Sequence, residues 1–222
     1  WTVLKEGINY ISVRAKDGAE NISVNPIVDA FYVKKDTTSP TVPSLAAPVD
    51  RSSTNVQAVY FNWSDSSDGT SGISGYEIQL STSDNFVPIA YSATPSVSES
   101  TSTALATGKY LWRVRSKDAA GNYSAFASTY SVLIDTVPPS ITDNQAGESV
   151  WRNSSGLYNI DFADSGDSLL SKFQVKAATG PGQTGALVFD WSDNVTSINS
   201  PSYSSDWPLT SDLWPLLQSG TN

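Results

Sequence analysis

Apolar and polar side chains alternate with a period of two through much of the chain. Val59, Phe61 and Trp63 alternate with Ala58, Tyr60 and Asn62, while Tyr76, Ile78 and Leu80 alternate with Glu77 and Gln79. A two-residue period with one apolar face predicts strands packed on one side only, and no segment keeps the 3.6-residue period of a helix. Strands are expected near 44–47, 57–64, 75–81, 89–93, 101–106, 110–117 and 127–134. Three more are expected at 158–162, 173–177 and 187–191. The predicted fold class is all-β, built from β-sandwiches.

Two segments are near-copies: Val13-Arg14-Ala15-Lys16-Asp17-Gly18-Ala19-Glu20-Asn21-Ile22-Ser23 and Val114-Arg115-Ser116-Lys117-Asp118-Ala119-Ala120-Gly121-Asn122-Tyr123-Ser124. Each reads as a strand, a turn rich in Asp, Gly and Asn, and a return strand. Both return strands, near 30–35 and 130–134, run into proline-bearing linkers, Asp36-Thr37-Thr38-Ser39-Pro40 and Asp135-Thr136-Val137-Pro138-Pro139. Proline fixes φ and disfavours helix in the residue before it, so each linker is a short, stiff boundary. A wider repeat joins the two ends: Trp1, Leu4, Gly7 and Asn9 match Trp214, Leu217, Gly220 and Asn222 without a gap. The period is about 213 residues, and the expectation is one unit of a tandem array. The resulting division is 1–36 as the last strands of one module, 37–135 as a complete sandwich, and 136–222 as the first part of a sister module. Residues equivalent to 10–36 of the next repeat would complete that sister module.

Composition narrows the chemistry. The chain has no Cys and no His, which removes disulfides, thiolate nucleophiles and the commonest general base. No Gly-rich phosphate loop follows a strand, and the acidic residues fall mostly in turns, so the chain is not expected to be an enzyme. A net charge of −9 with scattered basic residues argues against a nucleic-acid partner, because neutralising phosphates needs clustered Lys and Arg. No apolar run is long enough to span a bilayer as a helix, so no membrane insertion is expected. An acidic, Cys-free, Ser/Thr-rich repeat suits an extracellular or cell-surface bacterial protein.

Residues 37–135 resemble a bacterial fibronectin type III domain, and the flanking pieces resemble a sister immunoglobulin-like module. The resemblance rests on Phe61-Asn62-Trp63-Ser64, Gly75-Tyr76-Glu77-Ile78, and Tyr110-Leu111-Trp112-Arg113-Val114-Arg115-Ser116 with its Asp-Ala-Ala-Gly-Asn turn. It implies a core tryptophan at Trp63 and a corner tyrosine at Tyr110. Tyr76, Trp112, Val114 and Phe162 join the expected core. Such modules host many functions, so the likeness speaks for fold alone.

A sandwich without its last two strands exposes a core groove and unpaired edges, and an isolated hairpin is marginal in water. The expected partner is therefore the chain itself: 1–36 of one copy completes 136–222 of the next, by strand addition. Two arrangements meet this, one continuous polypeptide of repeats or separate copies joined head to tail into a filament. The function expected is a structural repeat of an extracellular fibre, sheath or giant surface protein. The alternative is an adhesin, or a carbohydrate-binding accessory module that takes surface glycans as partner.

Candidate sites are few. Asp65, Asp68 and Glu77 surround one loop and Asp161, Asp164 and Asp167 its counterpart, where carboxylates could hold calcium. Their spacing fits no defined calcium loop, and turn aspartates more often bond their own backbone, so no cofactor is expected. Trp191, Trp207 and Trp214, with Tyr203, could offer rings to a glycan, set against core packing as the plainer role.

Overall fold

The computed structural model describes residues 3–145, 147 and 151–217. The chain divides into two compact units, Trp1–Ser52 with Gln57–Val132 and Ser53–Val56 with Leu133–Asn222. Every regular element among the described residues is a strand or a short 3₁₀ turn. No described helix is long and apolar enough to cross a membrane.

In the first unit β1 (Gly7–Val13) and β2 (Ile27–Lys35) pair antiparallel, with Asn9 opposite Val33 and Ile11 opposite Phe31. The sandwich follows, with β3 (Leu45–Ala47), β4 (Ser52–Thr54), β5 (Tyr60–Trp63), β6 (Ile73–Ser81), β7 (Tyr91–Ala93), β8 (Glu99–Thr101), β9 (Gly108–Asp118) and β10 (Tyr130–Ile134). One sheet has the order β3-β5-β8 and the facing sheet β4-β10-β9-β6-β7; the boundary between the two units falls within β4 and β10. Alternation on β5, β6 and β9 turns Phe61, Trp63, Ile78, Leu80, Trp112 and Val114 into the core. Their rings pack edge to face, Phe61 on Trp112 at 5.0 Å and Trp63 on Tyr76 at 5.6 Å between centroids. Burying side chains of this size stabilises by about 1.5–3 kcal/mol each.

On the outward side of the same sheet Arg113 lies over Phe86 and Phe126, at 3.8 and 4.0 Å from the ring centres, and Arg115 lies over Tyr123 at 4.1 Å. Arg113 donates to Gln79 and Arg115 to Glu77 across β6 and β9. The Arg113 guanidinium is held below its ordinary pKa by burial, then by repulsion from Arg115.

The sandwich departs from expectation at one expected strand and one unexpected one. The strand expected at 101–106 is regular only at Glu99–Thr101; beyond it Ser102 and Leu105 still donate to Val59 and Gln57, but in irregular backbone. β4, a polar three-residue strand, carries no apolar alternation to announce it.

The second unit adds β11 (Ser140–Asp143), β12 (Ile160–Ala163), β13 (Leu170–Gly180), β14 (Thr184–Ser200) and β15 (Ser202–Tyr203). β11-β12-β15 form one sheet and β13-β14 another. The segments expected at 173–177 and 187–191 thus belong to one long hairpin, closed by a turn at Pro181–Gln183 where Gly182 and Gln183 have positive φ. Its repeated register shifts hid its length from a period-two reading. Leu170, Phe173, Phe189, Trp207 and Leu213 are buried, with Phe162 stacked on Phe173 at 4.3 Å. A cleft of about 380 Å³ opens over Pro139, Ile141, Phe162, Phe173 and Trp191.

Candidate metal centre

Within the first unit three carboxylates converge. Asp36 directly follows β2, Asp68 sits in the loop between β5 and β6, and Asp118 ends β9. One oxygen from each lies within 4.8 Å of the others. Local backbone chemistry holds two of them. Asp68 Oδ1 accepts the N–H groups of Thr70, Ser71 and Gly72 at 3.0, 2.8 and 3.0 Å, and the Ser71 bond, ahead of the rest, holds its pKa below the ordinary 3.8. Asp118, fully buried, accepts from the Asn122 backbone N–H at 2.8 Å and its side-chain amide at 2.7 Å. That same Asn122 amide donates to the Asp36 carbonyl at 3.4 Å, so the turn clasps the linker.

Asp36 differs from both. Its Oδ1 accepts the Thr38 N–H at 3.0 Å, while its Oδ2 is buried with no donor in reach. The nearby Lys35 ammonium is taken by Glu6 and the Leu4 carbonyl, at 3.1 and 2.8 Å. A cleft of about 470 Å³ lined by Gly7, Lys35, Asp36, Ser71 and Ala119 lies alongside.

The other residues singled out from sequence go elsewhere. Asp65 is exposed and outside the cluster, and Glu77 pairs with Arg115. Asp161 accepts from the Asn144 amide, and Asp164, buried, accepts from the Gly166 N–H and the Ser168 hydroxyl. Trp63, Tyr76, Tyr110, Trp112 and Val114 are buried in the sandwich, and Phe162 is half-buried in the second unit. Among the aromatic candidates, Trp207 is buried and donates to the Ile160 carbonyl, Trp214 is half-buried in a 3₁₀ turn, and Tyr203 packs on Phe173. Trp191 alone is well exposed, at 63%, with the Lys176 ammonium 6.0 Å from its ring centre. Sequence reasoning placed Asp68 with its loop neighbours and missed Asp36 and Asp118; the available signal was that each borders a linker or turn shared by the near-copies. Trp1, Gly220 and Asn222, which carry part of the end-to-end repeat, lie outside the described residues.

No protein-family model matches the chain. Over 185 residues it is 30% identical to exoglucanase B of Cellulomonas fimi, covering 78% of this chain and 16% of that protein. It is 27% identical over 164 residues to chitinase A1 of Niallia circulans, covering 70% of this chain and 22% of that protein. The chain thus spans about a fifth or less of these relatives. A solved tetra-tandem repeat from the extending region of a large adhesion protein is 16% identical with a TM-score of 0.33, covering 96% of this chain and 51% of that one.

Proposed function

We propose that this chain is a non-catalytic repeat module of a secreted bacterial protein, in which the β1–β2 hairpin completes the unfinished sandwich of a neighbouring repeat. The observation behind it is a match between a donor and an acceptor. In the complete sandwich β6 pairs with β7 on one side and β9 on the other, whereas β13, at the equivalent place, pairs only with β14 among the described residues. The β1–β2 hairpin repeats the β9–β10 hairpin, so Ile11, Val13, Phe31 and Val33 stand where Trp112, Val114, Tyr130 and Val132 stand. Trp112, Val114 and Val132 are fully buried, whereas Ile11 and Val33 are half-buried and Phe31 is 53% and Val13 43% exposed. A partly exposed apolar hairpin face and an open apolar cleft over Ile141, Phe162 and Phe173 are complementary by the ordinary logic of strand addition.

Light scattering across a concentration series tests the assembly of separate copies. Concentration-dependent growth is expected, lost on deleting residues 3–35 and weakened about tenfold or more by Phe31→Asp. A monomer at every concentration would restrict completion to repeats joined in one polypeptide. In that case a tandem duplication should show added protection of β13 amides from hydrogen exchange, and its failure to do so would sink the reading.

A second reading takes its support from the relatives, whose names denote glucan- and chitin-acting enzymes: an accessory module within a secreted polysaccharide-degrading protein. Trp191 is the ring it would use. Co-sedimentation with insoluble cellulose or chitin, reduced by Trp191→Ala, would support it; no retention on either would remove it.

A further inference from the structure

We propose that Asp36, Asp68 and Asp118 hold one divalent cation of calcium's size where the hairpin joins the sandwich. The inference does not depend on whether the hairpin completes a neighbour.

Three observations converge. The first is geometric: one oxygen from each residue lies within 4.8 Å of the others. Calcium bonds oxygen at about 2.3–2.6 Å, so any two oxygens on one ion lie no more than about 5.2 Å apart, and this cluster falls within that limit. The all-oxygen donor set suits a hard cation and offers nothing to a metal that prefers nitrogen or sulfur.

The second is the Asp36 oxygen. A buried carboxylate oxygen with neither donor nor water access is costly, and here it belongs to a group of three like charges. Lys35 could have neutralised the cluster but is occupied by Glu6 and the Leu4 carbonyl.

The third is an internal control. Asp135 holds the same position directly after β10 that Asp36 holds directly after β2. Each gives Oδ1 to the N–H two residues on, Thr38 and Val137, both at 3.0 Å. Asp135 Oδ2 then accepts the Ser168 N–H at 3.0 Å. Asp36 Oδ2 accepts nothing. Where one linker supplies a donor, the other supplies two further carboxylates, and a cation is the partner that would both satisfy Asp36 Oδ2 and offset the three charges.

The ion would tie three places remote in sequence: the end of the hairpin, the loop before β6 and the turn after β9. It would set the angle between hairpin and sandwich, in a range of affinity suited to extracellular calcium, about 10⁻⁴–10⁻³ M.

The test is calorimetric titration of CaCl₂ into the chelator-stripped 222-residue chain, beside thermal unfolding in calcium and in EDTA. One calcium site and a Tm several degrees higher in calcium are expected. Asp36→Asn should weaken binding about tenfold or more and abolish the Tm shift, while melting in EDTA at or above the parent because a like charge is gone. That last readout separates cation binding from a purely structural role, and far-UV circular dichroism confirms that the variant folds. Asp65→Asn, outside the cluster, should bind as the parent does. No calcium heat and no Tm shift in the parent would overturn the proposal. So would binding that survives Asp36→Asn, an equal loss in Asp65→Asn, or magnesium binding as tightly as calcium.

Discussion

The turn after β1 and the turn after β9 have the same backbone in opposite surroundings. Asp17 and Asp118 each accept the backbone N–H of the asparagine four residues on, both at 2.8 Å, and the amide of that same Asn21 or Asn122 at 2.9 and 2.7 Å. The bridges Lys16–Ile22 and Lys117–Tyr123 close both loops alike. Yet Asp17 is exposed while Asp118 is buried, and the strand face that is core in β9 is only half-buried at Ile11 and exposed at Val13 in β1. The turn is therefore encoded by its own residues, since it forms without a core behind it. What the sandwich adds is burial, and with burial the energetic weight of each contact changes.

Removing the same core position from both hairpins should separate the two most sharply. Trp112→Ala empties a fully buried site and should cost about 3–5 kcal/mol. Ile11→Ala, at the matching half-buried place on β1, should cost far less, about 1 kcal/mol in an isolated copy. Urea unfolding followed by tryptophan fluorescence measures both. An equal loss at Ile11 would mean that the hairpin face is already packed.

The clasp should follow the same rule at smaller scale. Asn122→Ala leaves the buried Asp118 carboxylate without its side-chain donor and should destabilise by about 1–3 kcal/mol. Asn21→Ala removes the same bond where water replaces it and should fall within about 0.5 kcal/mol of the parent. If the two losses match, burial is not what distinguishes the turns.

The near-copies also show what is legible in a sequence. Strands such as β5, β6 and β9 could be read because one face meets a core and alternation records it. β4 and the full length of β13–β14 could not, because polar edges and register shifts leave no period. The aspartate cluster was half legible. Asp68 stood out as a loop carboxylate, but its companions are Asp36 and Asp118, which only closure of the linker against the sandwich brings near. Loop-neighbour reasoning grouped it instead with Asp65, which is exposed, and Glu77, which Arg115 takes.

The turns differ in sequence at their second and fourth positions, Gly18 against Ala119 and Glu20 against Gly121. The fourth turn position has positive φ in both, 74° at Glu20 and 99° at Gly121. A side chain there crowds its own backbone, a cost of about 1 kcal/mol that glycine escapes. Glu20→Gly should thus steady the hairpin by up to that amount, seen as slower amide exchange at Asn21 and Ser23, while Gly121→Ala should loosen the other turn. No change on Glu20→Gly would mean that the Lys16–Glu20 ion pair offsets the strain it removes.

The smallest difference is electrostatic and belongs to the exposed turn. The Asn21 side-chain amide, ahead of the backbone N–H groups of Asn21 and Ala19, holds the Asp17 carboxyl below its ordinary 3.8. A carboxylate whose pKa is lower in the folded state contributes stability above the unfolded value and loses it as pH falls through the folded one. The turn should therefore keep its order as pH drops to about 3.8 and loosen only below it, where protonation removes the acceptor. An NMR titration of the Asp17 carboxyl should give a midpoint below 3.8 that rises towards it in Asn21→Ala, where the backbone donors of residues 19 and 21 remain. A midpoint already at 3.8 in the parent would mean that the clasp on the exposed turn is too transient to bias the proton, and that only the buried copy holds its asparagine firmly.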